Sequence, residues 1–220
     1  MLEGHAHDPI DRAALERDAV RTAAALEAIV GTPQGLARDK VSPCLTPLMQ
    51  AFVARSPFWL LATANDDGTC DVSPRGDPPG AIRILDARTL VLPDRAGNRR
   101  VDSLRNVLRN PHVGLLVLVP GMDETLRING RAMITRNEAL LATMPVQGRV
   151  PRLALVVDID EAFMHCARAF RRARLWQPAS WPRADTVPSM AAILHDQLRL
   201  EGTVEDLARE REERYRTSLY

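Results

Sequence analysis

The chain has 220 residues, enough to bury a core as one domain with helical extensions at its ends. Its 29 basic and 28 acidic residues nearly cancel, so no charge excess points to nucleic acid or an acidic membrane as partner. Lys40 is the single lysine and no GxxxxGKS/T surrounds it, which removes P-loop chemistry and leaves one candidate for any Schiff base. So strong an arginine bias also weakens any one arginine as a functional signal.

Cys44, Cys70 and Cys166 are odd in number and lack CxxC spacing. They read as reduced thiols, not as a disulfide frame or a zinc site, and no metal is expected. The N-terminal stretch MLEGHAHDPIDRAALERD is polar and has no apolar signal core. His5 and His7 within it form an HxH that is not expected to ligate. The longest aliphatic run, 115–119, is too short to cross a bilayer. The expectation is a soluble, cytoplasmic protein.

In chain order, residues 11–30 predict an amphipathic helix with Leu15, Val20, Leu26 and Ile29 among its apolar positions, stopped by Gly31 and Pro33. A second short helix is expected over 46–55. FWLLATA (58–64) is a buried-strand pattern, NDDG (65–68) a turn, and TCDVS (69–73) the returning strand. PRGDPPG (74–80) is expected to be irregular because prolines and glycines interrupt it. Residues 81–85 and 89–93 form a second hairpin-like pair.

Asn98 is a good helix N-cap residue, and Val101, Leu104 and Leu108 follow at helical spacing until Pro111, which predicts a helix over 99–109. Arg99 and Arg100 would then stand in its first turn, where the helix dipole disfavours positive charge. Either both fan out into water, or they and the free backbone N–H groups face an anion, above all a phosphate. HVGLLVLV (112–119) is apolar on both faces and is expected to be buried on both. In TLRINGRAMIT (125–135), Leu126, Ile128, Ala132 and Ile134 point one way, while Thr125, Arg127, Asn129 and Arg131 point the other. Residues 152–160 supply another strand. From about 161 the chain is expected to be helical or irregular, with helices at 187–199 and 203–218.

Six or more short strands with one helix inserted among them predict a small barrel flanked by helices, mainly β in an α+β sense, and not a βαβ sheet. The polar stripe on 125–135 is either simply wet or lines a ligand.

Several segments, SPRGDPPG, PDRAGNRRVDSLRN, NPHVGLL, ETLRINGRA and HCARAFRRARLW, resemble in that order the pyridoxamine 5'-phosphate oxidase-like flavoproteins. The nearest branch is the PPOX-class probable FMN-dependent enzymes, and the likeness runs from about Pro33 to the C-terminal tail. The resemblance implies an FMN-binding split β-barrel and a homodimer with FMN held between subunits. It suggests an N-terminal helical segment (1–55) packing on the barrel, a barrel core (56–165) and a C-terminal extension of the same domain (166–220).

Carried over residue by residue, the resemblance puts the FMN phosphate at Asn98, Arg99, Arg100 and Ser103. The family's Ser-Arg-Lys run is Asn-Arg-Arg here and lies farther from the following Asn-Pro pair, which leaves open which arginine meets the phosphate. The ring would lie over 72–77, that is Ser73, Pro74, Arg75, Gly76 and Asp77, whose backbone can bond its edge. Arg75 either brings positive charge to the cofactor or pairs with Asp77 to brace the loop. Thr125 aligns with a ring-contacting glutamine of the oxidases, and Arg127 is the alternative contact. Trp176 would reach the flavin face from the active-site mouth.

No catalytic residue is identified. His165 and Cys166 are adjacent but lack a third residue to orient them as a nucleophilic pair. The substrate-gripping arginine–histidine segment of the true oxidases has no counterpart in the tail ERYRTSLY, so pyridoxamine phosphate oxidation itself is not expected. The reading is an FMN-dependent oxidoreductase that exchanges a hydride at flavin N5 with a small organic substrate. A nicotinamide is a candidate reductant, although no GxGxxG is present. The alternative is a flavin- or haem-binding protein of the same fold without turnover, with His112 or His165 as haem ligand.

Overall fold

The computed structural model describes residues 11–220, so His5 and His7 lie outside the described residues. The chain divides into two compact units, with the boundary between Lys40 and Val41.

The first unit holds helices α1 (Arg12–Arg17), α2 (Ala23–Val30) and α3 (Leu36–Asp39). The single helix expected over 11–30 is thus two. Asp18 closes α1, and Thr22 opens α2 by accepting a hydrogen bond from the Ala25 N–H on its side-chain oxygen. Leu15, Val20, Leu26 and Ile29 are all exposed.

The second unit begins with α4 (Pro47–Arg55), capped by Thr46 and started by a proline at its first position. Then follow β1 (Phe58–Ala64), β2 (Cys70–Gly76), β3 (Arg83–Asp86), β4 (Thr89–Asp94), α5 (Asp102–Arg109), β5 (His112–Leu118) and β6 (Thr125–Thr135). After α6 (Glu138–Leu141) and β7 (Leu153–His165) come α7 (Arg168–Ala173), α8 (Met190–Leu198) and α9 (Val204–Ser218). The strands form one antiparallel sheet in the order β2-β1-β5-β6-β7-β4-β3.

Alternating side chains fill its inside: Trp59 and Leu61 from β1, Val113, Leu115 and Val117 from β5, Leu126 and Ile128 from β6, Leu155 and Val157 from β7. Helix α5 contributes Leu104 and Val107 to this core. Its Asn106 amide donates to Thr63 Oγ1 at 3.0 Å and to Asp71 Oδ2 at 2.8 Å, fixing the helix to β1 and β2. A smaller cluster of Val91, Val156, Leu141 and Met144 packs on the other face of β4 and β7 under α6.

The sheet curls on itself. Strand β2 ends one side of the ladder and β4 lies next to the other end, yet Arg75 of β2 reaches Asp94 of β4 at 3.0 Å. One step further on, Asp77 takes Arg95 at 2.6 Å. Side chains, not backbone hydrogen bonds, join this seam. The fold is the expected split β-barrel with flanking helices, and the seam is the split.

Four expectations need correction. Pro74 does not end β2, because β2 is an edge strand bonded only to β1 and tolerates a residue without an N–H. Strand β5 is fully buried on one face only; Gly114, Leu116 and Leu118 on the other are half-covered. Strand β7 runs on to His165, since an extra residue at Asp160 bulges the strand and lets pairing with β6 resume. Helix α5 starts at Asp102, three residues later than the spacing predicts.

Candidate functional site

A cleft of about 1130 Å³ opens along the split, bounded by 71–77 of β2, the segment 93–104, residues 149–152 and the C-terminal 218–220. Strand alternation decides what β2 offers it. Asp71, Ser73, Arg75 and Asp77 share one side of the strand line. Asp71 holds the Asn106 amide of α5, Ser73 Oγ meets Ser103 Oγ at 3.1 Å, Arg75 pairs with Asp94, and Asp77 pairs with Arg95. Arg75 Nε also donates to Ser73 Oγ at 3.2 Å. Arg75 and Asp77 therefore do not brace each other; each is bound across the split to a residue at the end of β4.

The loop into α5 differs most from expectation. Asn98 is not the N-cap; its Oδ1 accepts the Arg100 N–H at 3.0 Å in a local turn. The N-cap is Val101, in the left-handed region at φ 53°, with Arg99 also left-handed at φ 63°. A β-branched residue there is strained, and Val101 supplies no side-chain cap. Arg99 and Arg100 thus precede the helix and do not oppose its dipole from the first turn. Arg100 spends its Nε on Asp102 at 2.7 Å, and that bond together with the charge of Asp102 raises its pKa. Arg99 makes no hydrogen bond or ion pair among the described residues.

The lining carries six arginines against four aspartates. Three of the aspartates are paired with Arg75, Arg95 and Arg100; set against the remaining Asp71 carboxylate, which holds the Asn106 amide, Arg99, Arg149 and Arg152 leave a surplus of two positive charges. The cleft is built to attract an anion. Three buried polar atoms along it have no partner: Trp59 Nε1, Asp77 Oδ1 and Arg95 Nη2. Arg149 donates to the Tyr220 backbone carbonyl. Loss of solvent and the adjacent Asp77 carboxylate push the Tyr220 phenol up from its ordinary value, with Arg95 opposing.

Of the residues singled out in the sequence, Ser73, Pro74, Arg75, Gly76, Asp77, Asn98, Arg99, Arg100 and Ser103 all line this cleft. Thr125, Arg127 and Trp176 do not. Thr125 is buried at the start of β6 opposite His165. Arg127 lies over the Phe163 ring at 5.4 Å and donates to Asn129. Trp176 packs on Phe170 and donates to the Met122 carbonyl at 2.8 Å. Sequence reasoning missed Trp59, Asp94, Arg95, Arg149 and Tyr220. Asp94 and Arg95 stand inside the quoted PDRAGN motif, but nothing local marks them as partners of β2.

Among the described residues no histidine lines the cleft; His112 bonds Asn110 and His165 packs near Phe163. Among the described residues no group of three or more metal-ligating side chains gathers. Nor, among the described residues, is any helix long and apolar enough to cross a membrane.

The sequence profile described as pyridoxamine 5'-phosphate oxidase matches residues 45–166, more than half of the chain. The chain belongs to the pyridoxamine 5'-phosphate oxidase family. The matched span covers the barrel from α4 to the end of β7, including β2, β4 and α5, which surround the cleft. Among curated proteins no relative matches this family member. Similar solved structures include HupZ of Group A Streptococcus, at 18% identity over 55% of this chain and 93% of that one, with a TM-score of 0.45. A putative pyridoxamine 5'-phosphate oxidase of Lactobacillus delbrueckii is 20% identical over 56% and 95% of the two chains, with a TM-score of 0.44. An FMN-binding protein of Syntrophomonas wolfei is 10% identical over 53% and 88%, with a TM-score of 0.40.

Proposed function

We propose that this family member binds FMN in the split of its barrel and acts, as a homodimer, as an oxidoreductase on a small organic substrate. One observation carries the reading. The cleft has surplus positive charge around the unpaired Arg99 and the N-terminus of an eight-residue helix, α5, while its other end holds buried polar atoms without partners. That is the polarity of a ligand with a phosphate at one end and a polar ring edge at the other.

The residues present fit the group. Arg99, the α5 N–H groups and the Ser73–Ser103 hydroxyl pair are suited to the phosphate. Edge strand β2 turns backbone groups that β1 does not use toward a flat ring. Arg75 is held by Asp94, so it is positioned near the ring with its charge largely balanced. FMN, when bound, supplies hydride exchange at its N5. The chain's own contribution is to bind and orient it and to keep water from one face. Among the described residues no histidine reaches the cleft, which disfavours haem ligation there by His112 or His165.

Fluorescence-quenching titration with FMN and riboflavin tests the reading. Arg99→Gln should weaken FMN about 10- to 150-fold, since one charge-assisted bond contributes about 1.5–3 kcal/mol. Riboflavin, which lacks the phosphate, should bind the wild type and the variant alike. If neither flavin binds the wild type, the reading fails. Anaerobic addition of NADH or NADPH then separates an enzyme, whose flavin bands bleach, from a carrier, whose bands persist.

A further inference from the structure

We propose that Asp77 and Arg95 form a subsite for a planar group with an N–H beside a carbonyl, the imide edge of the flavin ring. The proposal rests on the flavin reading above and assigns one end of the ring to named side chains.

The pair is tightly held and incompletely used. Asp77 donates its backbone N–H to the Pro57 carbonyl at 3.0 Å and accepts Arg95 Nε on Oδ2 at 2.6 Å. Arg95 gives Nη1 to the Met144 carbonyl at 3.0 Å, which anchors it to the layer under α6. These bonds leave two atoms over, the acceptor Asp77 Oδ1 and the donor Arg95 Nη2, both buried. The Asp77 side chain is fully buried, with 0% exposure. Buried polar atoms in native proteins rarely go unpaired, because each such atom gives up its bonds to water. A spare acceptor beside a spare donor is the complement of an N–H beside a C=O.

The position along β2 agrees. Ser73, against Ser103 and the start of α5, stands at the anion end. Asp77 lies four residues farther along, about 13 Å at the rise of an extended strand. A phosphate at the first place sets the far edge of the ring toward the second.

The test compares FMN with N3-methyl-FMN, in which the imide N–H is replaced, by equilibrium titration of wild type and Asp77→Ala. The wild type should bind FMN at least tenfold more tightly than the methylated ligand. Asp77→Ala should bind both alike. Equal wild-type affinity for the two flavins overturns the subsite and leaves the flavin reading standing; this comparison needs no variant to fold. If the wild type binds neither flavin, both fall.

Discussion

The side chains of Arg95 and Asp77 are 14% and 0% exposed and meet at 2.6 Å, so this pair has been taken out of water in a way surface pairs are not. Most other ion pairs here, such as Arg12–Glu16 and Arg183–Asp185, are well exposed and contribute little. Removing one member of a buried pair leaves the other charge desolvated and unmatched. Arg95→Ala should therefore lower unfolding stability by about 3–5 kcal/mol, measured by urea denaturation. A loss below about 1 kcal/mol would show that Asp77 finds water or another partner. At this scale the sequence was half legible. Asp77 stood out within a proline- and glycine-rich motif, but Arg95 looked like one arginine among many in an arginine-biased chain. Its role depends on the end of β4 coming beside the end of β2, and no local spacing encodes that.

Among the elements, β6 and β7 show how a single position sets register. A Cβ added at Gly130 would stand 2.1 Å from the Asp158 carbonyl oxygen, a backbone atom that cannot swing aside. The bulge opposite this point is what lets β7 extend to His165. Gly130→Ala should thus cost at least about 1–3 kcal/mol, the usual range for overpacking, and thermal unfolding measures it. A near-neutral result would mean that the two strands separate there at little cost. The strong periodicities of β1, β4, β5 and β6 were legible to within a residue or two, since alternation reports a pleated sheet directly. The start of α5 was not. Asn98 has the right chemistry for a cap, but the chain first makes a turn with two left-handed residues, and tertiary packing of Leu104, Asn106 and Val107 fixes where the helix begins.

For the whole molecule, the half-covered outer faces of β1 and β5, with Leu60, Leu116 and Leu118 partly open and Phe58 exposed, and the exposed Val72 of the neighbouring β2, suit a second copy of the chain. The proposed homodimer should appear by light scattering at micromolar concentration and should release FMN as dilution drives it to monomer. A monomer with full FMN occupancy would remove the shared site and leave the cleft of one chain sufficient. Thr125, Arg127 and Trp176, which do not line this chain's own cleft, are the residues to examine in such a dimer.

The class of fold, the position of most strands and two of the segments that line the cleft, 71–77 and 98–103, are readable in the sequence, because alternation, turn chemistry and a run of motifs are local properties of the chain. Which charges are spent and which are free is settled by the closed barrel. Arg75 and Arg100 are engaged by Asp94 and Asp102, Arg95 is enlisted by Asp77, and Arg99 is left unpaired. Ion pairing depends on distances across a closed seam, and that seam exists only once the sheet has curled to bring β2 beside β4.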